Sequence, residues 1–449
     1  QQYLPDLMEK EAEVFGKRTI SGFLAQVGAE EAMSADQVVW SEQGRLHLSY
    51  KGTIGTHTTS TIQLDTDIDG VDVGTTHGVR VGDTVLIASA ALTVRAFVSQ
   101  INSDTNGDQN TGATDFITAI PYDAEHLDNS GFGTNDAVTI LVYGSEHSKG
   151  TTGKVGANEP SFTSFTNKPI IMKDMYQVSG SDASQVGWVE VSGEDGQNGY
   201  MWYLKAEGDT RSRFADYTEM ALVEAEKAAD ASTILGGANG LVGTEGLFSA
   251  ISNRGHQTSG VTGVNAATDL AEFDAILAEF DKNGAIEENM LFLNRATSLA
   301  FDDMLASMNS YGAGGTSYGV FDNNEDMALN LGFSGFRRGS YDFYKSDWKY
   351  LNDLSTRGGI NARNVAGAIR GVIIPAGTSS VYDEQMGKNL KRPFLHVRYR
   401  ASQTESRKMK TWITGSVGAV TSDLDAMTVN FLTERCLVVQ AANNFMLMN

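Results

Sequence analysis

Cysteine and proline are nearly absent from this chain of 449 residues. It contains 1 Cys and 6 Pro against 48 Gly. A single cysteine, Cys436, excludes an internal disulfide framework. Its place in the β-rich run of residues 435–439 predicts a small buried hydrophobic residue rather than a nucleophile. No run of about 18 apolar residues occurs, so the sequence predicts no membrane-spanning helix.

Enzyme signatures are also scarce. The chain contains no H-E-x-x-H motif, and one cysteine cannot form C-x-x-C. Residues 150–154 resemble a phosphate-binding loop, but Val155 stands where Ser or Thr would bind magnesium. The 7 histidines are scattered, without a pair at i, i+4. We therefore predict that the chain is not an enzyme and has no catalytic residue and no cofactor.

Negative charge is unevenly distributed along the chain. The net charge is −22, from 34 Lys and Arg against 56 Asp and Glu. Residues 337–449 hold 16 basic and 9 acidic residues, a net +7, which leaves 18 and 47, a net −29, for residues 1–336. Nucleic-acid binding requires Lys and Arg against the phosphates. The sequence therefore predicts no sequence-specific binding of DNA.

Residues 61–148 form the most acidic region, with Arg80 and Arg95 against 13 acidic residues. Apolar and polar residues alternate in residues 79–87, 92–98, 116–120 and 137–142, which is typical of strands. The turns between them are rich in Gly, Asn and Asp. We predict a small β-barrel or sandwich here, inserted between two extended stretches.

Two loops of this acidic region open like calcium loops. Carboxylates alternate at Asp65, Asp67 and Asp69 before a glycine, and Asp104, Asn106 and Asp108 repeat the opening. A metal site at either loop is one hypothesis. Solvated turns are the alternative, because Thr76 replaces the bidentate Glu that closes a calcium loop.

Residues 1–40 predict an arm. Short helical stripes occupy residues 4–15 and 20–27, and glycines between them oppose a compact core. We expect such an arm to pack on a neighbouring subunit.

One long helix is predicted from about residue 210 to residue 235. Asp209 or Thr210 would cap its start, and Gly236 and Gly237 would end it. Apolar side chains at a spacing of three to four, among them Phe214 and Tyr217, predict its packed face.

Helices and strands alternate after the long helix. Helices are predicted at 268–283 and 297–308 on either side of a strand at 290–293, which indicates an α/β layer. Later strands are predicted at 369–374, 393–400, 409–414 and 429–439. These strands would pack on the long helix.

This order of elements resembles the major capsid protein of tailed phages, the Hong Kong 97-type fold. The resemblance covers nearly the whole chain: an arm, an extended β-excursion ending in the turn Val178-Ser179-Gly180-Ser181, one long helix, an α/β region and late strands. It implies an α+β fold with five parts. These are an N-terminal arm at 1–40, an E-loop at 41–60 and 149–190, an insertion at 61–148, a peripheral domain at 191–285 and 393–449, and an axial domain at 286–392.

The resemblance also implies a function. The chain would assemble with itself as hexamers and pentamers into an icosahedral virion shell around double-stranded DNA, with scaffold, portal and decoration proteins as further partners. Residues expected at contacts between subunits are Trp40, Tyr50, Met172, Arg337, Arg338, Lys391 and Arg392. A β-rich binding module, such as a phage tail or surface adhesin, is the alternative function.

Overall fold

The computed structural model describes most of the chain as two compact units. The barrel unit is Ser41–Ser164, and the main unit comprises the described residues before and after it. Only the backbone is described for residues 162, 185, 201–205, 235–236, 266–269, 304–309, 378–383 and 388–392. The described residues are 19–73, 77–101, 115–154, 162–185, 201–230, 232–236, 240–259, 266–309, 335–361, 367–376, 378–383, 388–417 and 420–449.

The described residues contain both helices and strands, as the predicted α+β class requires. The α-helices are α1 (Phe23–Val27), α2 (Gly180–Gln185), α3 (Met201–Glu224), α4 (Thr233–Gly236), α5 (Leu247–Arg254), α6 (Ala266–Asn283), α7 (Arg295–Asn309), α8 (Lys349–Asn352) and α9 (Arg357–Asn361). The strands are β1 (Glu30–Met33), β2 (Val38–Gln43), β3 (Ser49–Ile54), β4 (Thr61–Asp67), β5 (Asp83–Ala88), β6 (Thr93–Ile101), β7 (Phe116–Pro121), β8 (Ala137–Ser145), β9 (Phe162–Asn167), β10 (Ile170–Ser179), β11 (His256–Thr258), β12 (Glu288–Leu293), β13 (Gly335–Arg338), β14 (Tyr341–Asp347), β15 (Gly371–Pro375), β16 (Thr378–Asp383), β17 (Lys388–Pro393), β18 (Leu395–Arg400), β19 (Lys410–Gly415), β20 (Ala426–Val439) and β21 (Met446–Met448).

The barrel unit is a closed antiparallel barrel with the strand order β3-β4-β7-β6-β5-β8. Alternate side chains point inward along each strand, and buried residues such as Ile54, Leu64 and Ile87 fill the interior. The four strands predicted in this region are present, and the structure selects the barrel over the sandwich. The unit begins earlier than the predicted residue 61, because β3 pairs with both β4 and β8 and so closes the barrel.

The first sheet of the main unit is built around β20. β10 pairs antiparallel with β20 on one side, and β18 and β19 pair antiparallel with its two halves on the other side. β1 extends this sheet by pairing in parallel with β18. Residues 170–179, predicted as part of a free excursion, are therefore the strand β10 of a packed sheet.

The second sheet of the main unit has the strand order β11-β21-β15-β12-β14-β13. Phe273 and Phe280 of α6 and Phe301 of α7 pack with Phe343 in one buried cluster. This arrangement confirms the predicted α/β layer. Residues 369–374 were predicted among the strands that pack on the long helix. Strand β15 pairs with β12 and β21 in this second sheet, and its Val372 and Ile374 share a buried cluster with Leu222 and Val223 of that helix.

The long helix α3 begins before the predicted position. Thr210 lies inside it and donates its hydroxyl to the carbonyl oxygen of Ala206 at 2.9 Å. The Thr210 hydroxyl therefore has its hydrogen-bond partner within the helix and does not cap the helix N-terminus. The predicted start at Asp209 or Thr210 is wrong.

The predicted end of this helix near Leu235 is wrong as well. α3 ends at Glu224, and the carbonyl oxygen of Ala225 accepts a hydrogen bond of 2.8 Å from the backbone N–H of Gly246. A β-bridge between Lys227 and Gly243 follows. Because the backbone after Glu224 pairs with a distant loop, residues 210–235 are not one continuous rod.

The packed face of α3 also differs from the predicted stripe. Tyr217 is 51% exposed, whereas Phe214 is 2% exposed and packs on Val429 and Phe431 of β20. The contact confirms that late strands pack on this helix. The buried side chains include Thr210, Phe214, Thr218 and Leu222, at a spacing of four, together with the adjacent Glu219 and Val223.

Candidate assembly surfaces

The N-terminal segment, residues 19–33, is folded into the main unit. The Phe23 ring stacks on Trp348 with centroids 4.0 Å apart and meets Phe292 edge-on at 4.7 Å. Phe23 is 4% exposed. The expectation that the arm reaches a neighbouring subunit is therefore wrong for this segment, and residues 1–18 lie outside the described part of the chain.

Two carboxylates of α3 hold the backbone of this segment. Asp216 Oδ1 accepts the N–H groups of Ile20 at 3.0 Å and Ser21 at 2.9 Å. Glu219 accepts those of Gly22 at 2.7 Å and Leu24 at 3.0 Å. Burial raises the pKa of Glu219, although these backbone hydrogen bonds oppose the rise.

Ion pairs fix the following strand, β1, to the sheet. Glu30 contacts Arg435 at 2.9 Å and also contacts Lys408. Glu31 contacts Arg398 at 2.9 Å. These acidic residues precede their basic partners by more than 360 positions in the sequence, so the acidic N-terminal region neutralises the basic C-terminal region partly within one chain.

Two residues predicted at subunit contacts are buried inside the chain. Trp40 is 7% exposed and lies 6.1 Å from the Phe165 ring, whose face Arg254 covers. Tyr50, also 7% exposed, lies in the barrel interior and accepts the Gly78 N–H at 2.7 Å. Their burial contradicts the prediction, because neither ring offers a surface to another subunit.

The predicted basic contacts have different surroundings. Arg337 is 3.6 Å from Asp342, and its side chain is largely exposed. Arg338 donates to both carboxylate oxygens of Asp274, at 2.7 Å from Nη2 to Oδ2. Lys391 and Arg392 lie on β17, and their side chains are outside the described part of the structure. Contact of these four residues with another subunit stays a prediction.

Met172 points toward α3 and packs with Phe214 and Phe431. Its neighbours on β10 point the other way, and Ile171 and Met175 are 55% and 58% exposed. Met175 and Trp412 both lie opposite Asn430, on either side of β20. Exposed apolar side chains of β10 and β19 therefore lie on the sheet face that points away from α3, on either side of Asn430 and next to the exposed Lys173.

We call the three-strand part of this sheet, made of β10, β19 and residues 426–435 of β20, the open ribbon. Among the described strands, β10 and β19 pair only with β20. Each thus has a second edge that no described strand covers. Such an edge carries backbone donors and acceptors that can pair with another chain.

Sequence reasoning missed Trp412 and Met175 as surface residues. Both belong to runs that read as ordinary strands, and an apolar residue in a strand normally predicts a packed face. The available signal was the pair Ile171 and Met172, which places apolar side chains on both faces of β10. Only the position of α3 decides which of the two faces is covered.

The predicted calcium ligands are only partly described. Asp65 and Asp67 lie on β4, where burial raises the pKa of Asp65, and the Asp69 carboxylate binds Arg45 at 2.7 Å. Asp104, Asn106 and Asp108 lie outside the described residues. Within the described residues, no group of three or more His, Cys, Asp and Glu side chains could hold a metal ion.

Cys436 is buried, as predicted, and burial raises its pKa to about 12. A thiol with such a pKa stays protonated and unreactive near neutral pH. In the described part of the chain, no helix combines the length and the apolar character needed to cross a membrane.

No protein-family model and no curated protein matches the chain. The chain is structurally similar to solved phage structures. One is described as the asymmetric unit of the bacteriophage PhiM1 mature capsid; it is 7% identical, has a TM-score of 0.41, and the match covers 99% of this chain and 92% of that chain. A structure from Microbacterium phage Oxtober96 is 9% identical over 100% of this chain and 95% of that chain, with a TM-score of 0.38. The capsid structure of the cyanophage P-SCSP1u is 8% identical over 69% and 80%, with a TM-score of 0.36.

Proposed function

We propose that this chain is the major capsid protein of a tailed phage. Copies of it would associate as hexamers and pentamers into an icosahedral shell around double-stranded DNA. Scaffold, portal and decoration proteins are further partners in this proposal. The observation that carries it is the open ribbon, whose outer face bears the exposed side chains Ile171 and Met175 and whose two edges pair with no further described strand.

The exposed edges of the open ribbon favour association with other chains. Soluble monomeric proteins protect long edge strands with charges, bulges or covering elements. β10 is an edge strand of ten residues, and its outward side chains include Ile171 and Met175. Pairing with another copy would satisfy the edge and remove these side chains from water.

The apolar outer face adds to the driving force. Burial of apolar surface contributes about 25 cal/mol per Å², and stable interfaces bury about 1,200–2,000 Å² in total. A sheet face and two edges on the same ribbon support contacts with more than one neighbour. Heterologous contacts of this kind generate rings and closed assemblies.

The net charge agrees with a shell protein that encloses DNA without binding it tightly. With a net charge of −22, the chain has more carboxylates than cations, and cations are needed to release counterions from phosphates. A β-rich binding module is not favoured, because the main unit is a mixed α/β structure with a long helix.

Sedimentation of the purified chain tests the proposal. We expect capsomers or large particles in analytical ultracentrifugation, and rings or shells in negative-stain images. Ionic strength, pH and protein concentration should be varied, with and without a co-expressed scaffold. A compact monomer under all of these conditions would contradict the proposed function.

A further inference from the structure

The outer surface of the barrel is divided into a polar and an apolar half. On β3 and β4, the side chains that alternate with the buried ones are polar: Ser49, Lys51, Thr53, Gln63 and Asp65. On β5 to β8, the outer positions include large apolar and aromatic side chains, with Arg95 and several threonines among them. We call this second group the tyrosine face; it consists of Leu86, Phe97, Ile120, Tyr122, Leu141 and Tyr143.

Strand register makes the tyrosine face continuous. Ile120 of β7 lies opposite Phe97 of β6. Leu86 of β5 lies opposite Leu141 of β8. The Tyr122 N–H donates to the carbonyl oxygen of Arg95 at 3.0 Å, and Arg95 in turn lies opposite Leu86. Side chains directly opposite each other share one face of a sheet.

The tyrosine face is exposed. Tyr122 and Tyr143 are 53% and 51% exposed, and Ile120 and Leu141 are 41% and 38% exposed. The Tyr122 hydroxyl donates to Glu146, which holds the ring in place and leaves its face open. A contiguous apolar patch with aromatic residues marks a binding surface more often than a random surface does.

Charge identifies the partner of this face. Residues 41–164 contain 6 Lys and Arg and 15 Asp and Glu, a net −9. Two barrels would repel each other, so a second barrel is a poor partner. Tyrosine rings attract cations through their faces, and the acidic unit adds a long-range attraction for a basic surface.

The chain itself carries a suitable basic element. β16 and β17 form a two-stranded sheet that pairs with no other described strand. Strand β17 carries Lys388, Lys391 and Arg392 among its six residues. We propose that the tyrosine face binds the β16–β17 hairpin of a second copy of this chain. This inference rests on the proposed shell function and assigns the inserted barrel a role in joining subunits.

Charge-swap variants of the full chain test the proposal. Tyr143→Lys places a cation in the tyrosine face and should raise the concentration needed for assembly about tenfold, as a repulsive charge at an interface does. Thr139→Lys is the matched control, since Thr139 lies on the outer side of the same strand, opposite Lys51 in the polar half. The double substitution Lys391→Glu and Arg392→Glu should restore assembly of Tyr143→Lys. Light scattering gives the assembly concentration, and circular dichroism checks that the variants fold.

The outcomes separate this inference from the proposed function. If the unchanged chain assembles and Tyr143→Lys assembles equally well, the docking surface is wrong and the shell function stands. A defect in Tyr143→Lys that Lys391→Glu with Arg392→Glu leaves uncorrected overturns the hairpin as the partner. If the unchanged chain forms no particles, the shell function fails. Sedimentation equilibrium then decides: a salt-sensitive dimer weakened by Tyr143→Lys supports the docking surface, and a monomer overturns it.

Discussion

Glu219 of α3 accepts the backbone N–H of Leu24 at 3.0 Å, although 195 residues separate them. Its other carboxylate oxygen accepts the N–H of Gly22 at 2.7 Å. The first N–H groups of a helix have no partner within the helix, and Gly22 has no side chain that could supply one. A buried carboxylate from another helix therefore caps α1.

Removal of this carboxylate should loosen the N-terminal segment. Glu219→Ala removes the partner of the buried Leu24 N–H and of the partly buried Gly22 N–H, and an unpaired buried group costs about 1–3 kcal/mol. We expect the free energy of unfolding to fall by about 2–4 kcal/mol, measured by denaturant titration. Glu226→Ala is the control, because Glu226 is exposed just beyond the end of the same helix. Equal stability of the two variants would contradict the capping role.

The same carboxylate should make stability depend on pH. Burial raises the pKa of Glu219 above its ordinary value of 4.5. Glu219 in the folded chain therefore keeps a proton at pH values where the unfolded chain has lost it. The stabilisation that this proton provides decreases as the pH rises from 4.5 through the raised pKa. In Glu219→Gln the group does not titrate. Denaturant titrations from about pH 4.5 to pH 7 should thus show a smaller decrease with pH for Glu219→Gln than for the unchanged chain. Parallel curves would contradict the burial of the charge.

Asn167 is a second buried polar group that joins distant segments. Its Nδ2 donates to the carbonyl oxygens of Leu437 at 2.7 Å and Glu245 at 3.0 Å. Its Oδ1 accepts from Lys168 N at 2.9 Å, Glu245 N at 2.9 Å and Thr244 Oγ1 at 3.1 Å. The side chain is 1% exposed, and its hydrogen bonds with Leu437 and Thr244 are fully buried.

Asn167→Leu should be strongly destabilising. Leucine fills a similar volume but leaves the buried backbone groups of Glu245 and the carbonyl of Leu437 unpaired. We expect a loss of about 3–5 kcal/mol in the free energy of unfolding. Asn129→Leu, at an exposed position, should change it by less than about 0.5 kcal/mol. Thermal or denaturant unfolding that fails to distinguish the two variants would refute the role of Asn167.

The sequence correctly predicts features that depend on residues close together in the chain. Four of the six barrel strands follow from alternation over short stretches, as in residues 84–88 and 94–98, and were predicted, whereas β3 and β4 were not. The packed face of β20 on the long helix was also predictable, because Val429 and Phe431 alternate with polar residues.

The errors concern contacts between residues far apart in the sequence. Nothing near Phe23 indicates that Asp216, Glu219 and Trp348 will hold the arm within its own chain. Similarly, the end of α3 depends on pairing of Lys227 with Gly243. Pattern analysis of a single sequence detects neither kind of contact, so the arm and the helix end were assigned incorrectly.

The corrected face of α3 predicts unequal effects of two aromatic substitutions. Phe214 is buried against Val429 and Phe431, whereas Tyr217 is largely in solvent. Phe214→Ala removes a packed ring and should cost about 3–5 kcal/mol in the free energy of unfolding. Tyr217→Ala should cost less than about 1 kcal/mol. Similar losses in denaturant titrations would instead support the stripe predicted from the sequence.

The open ribbon predicts a defect that affects assembly and spares folding. Met175 and Gln177 both lie on the outward side of β10, opposite Asn430 and Thr428 of β20. Met175→Asp puts a charge on the apolar face, and burying that charge between subunits without a partner costs several kcal/mol. We expect sedimentation velocity to show loss of large particles, with unfolding of the subunit changed by less than about 1 kcal/mol. Gln177→Asp is the matched control, because it places the same charge two residues further along β10, at a polar position of the same face. This variant should assemble. Normal particles from Met175→Asp would show that subunits associate through another surface.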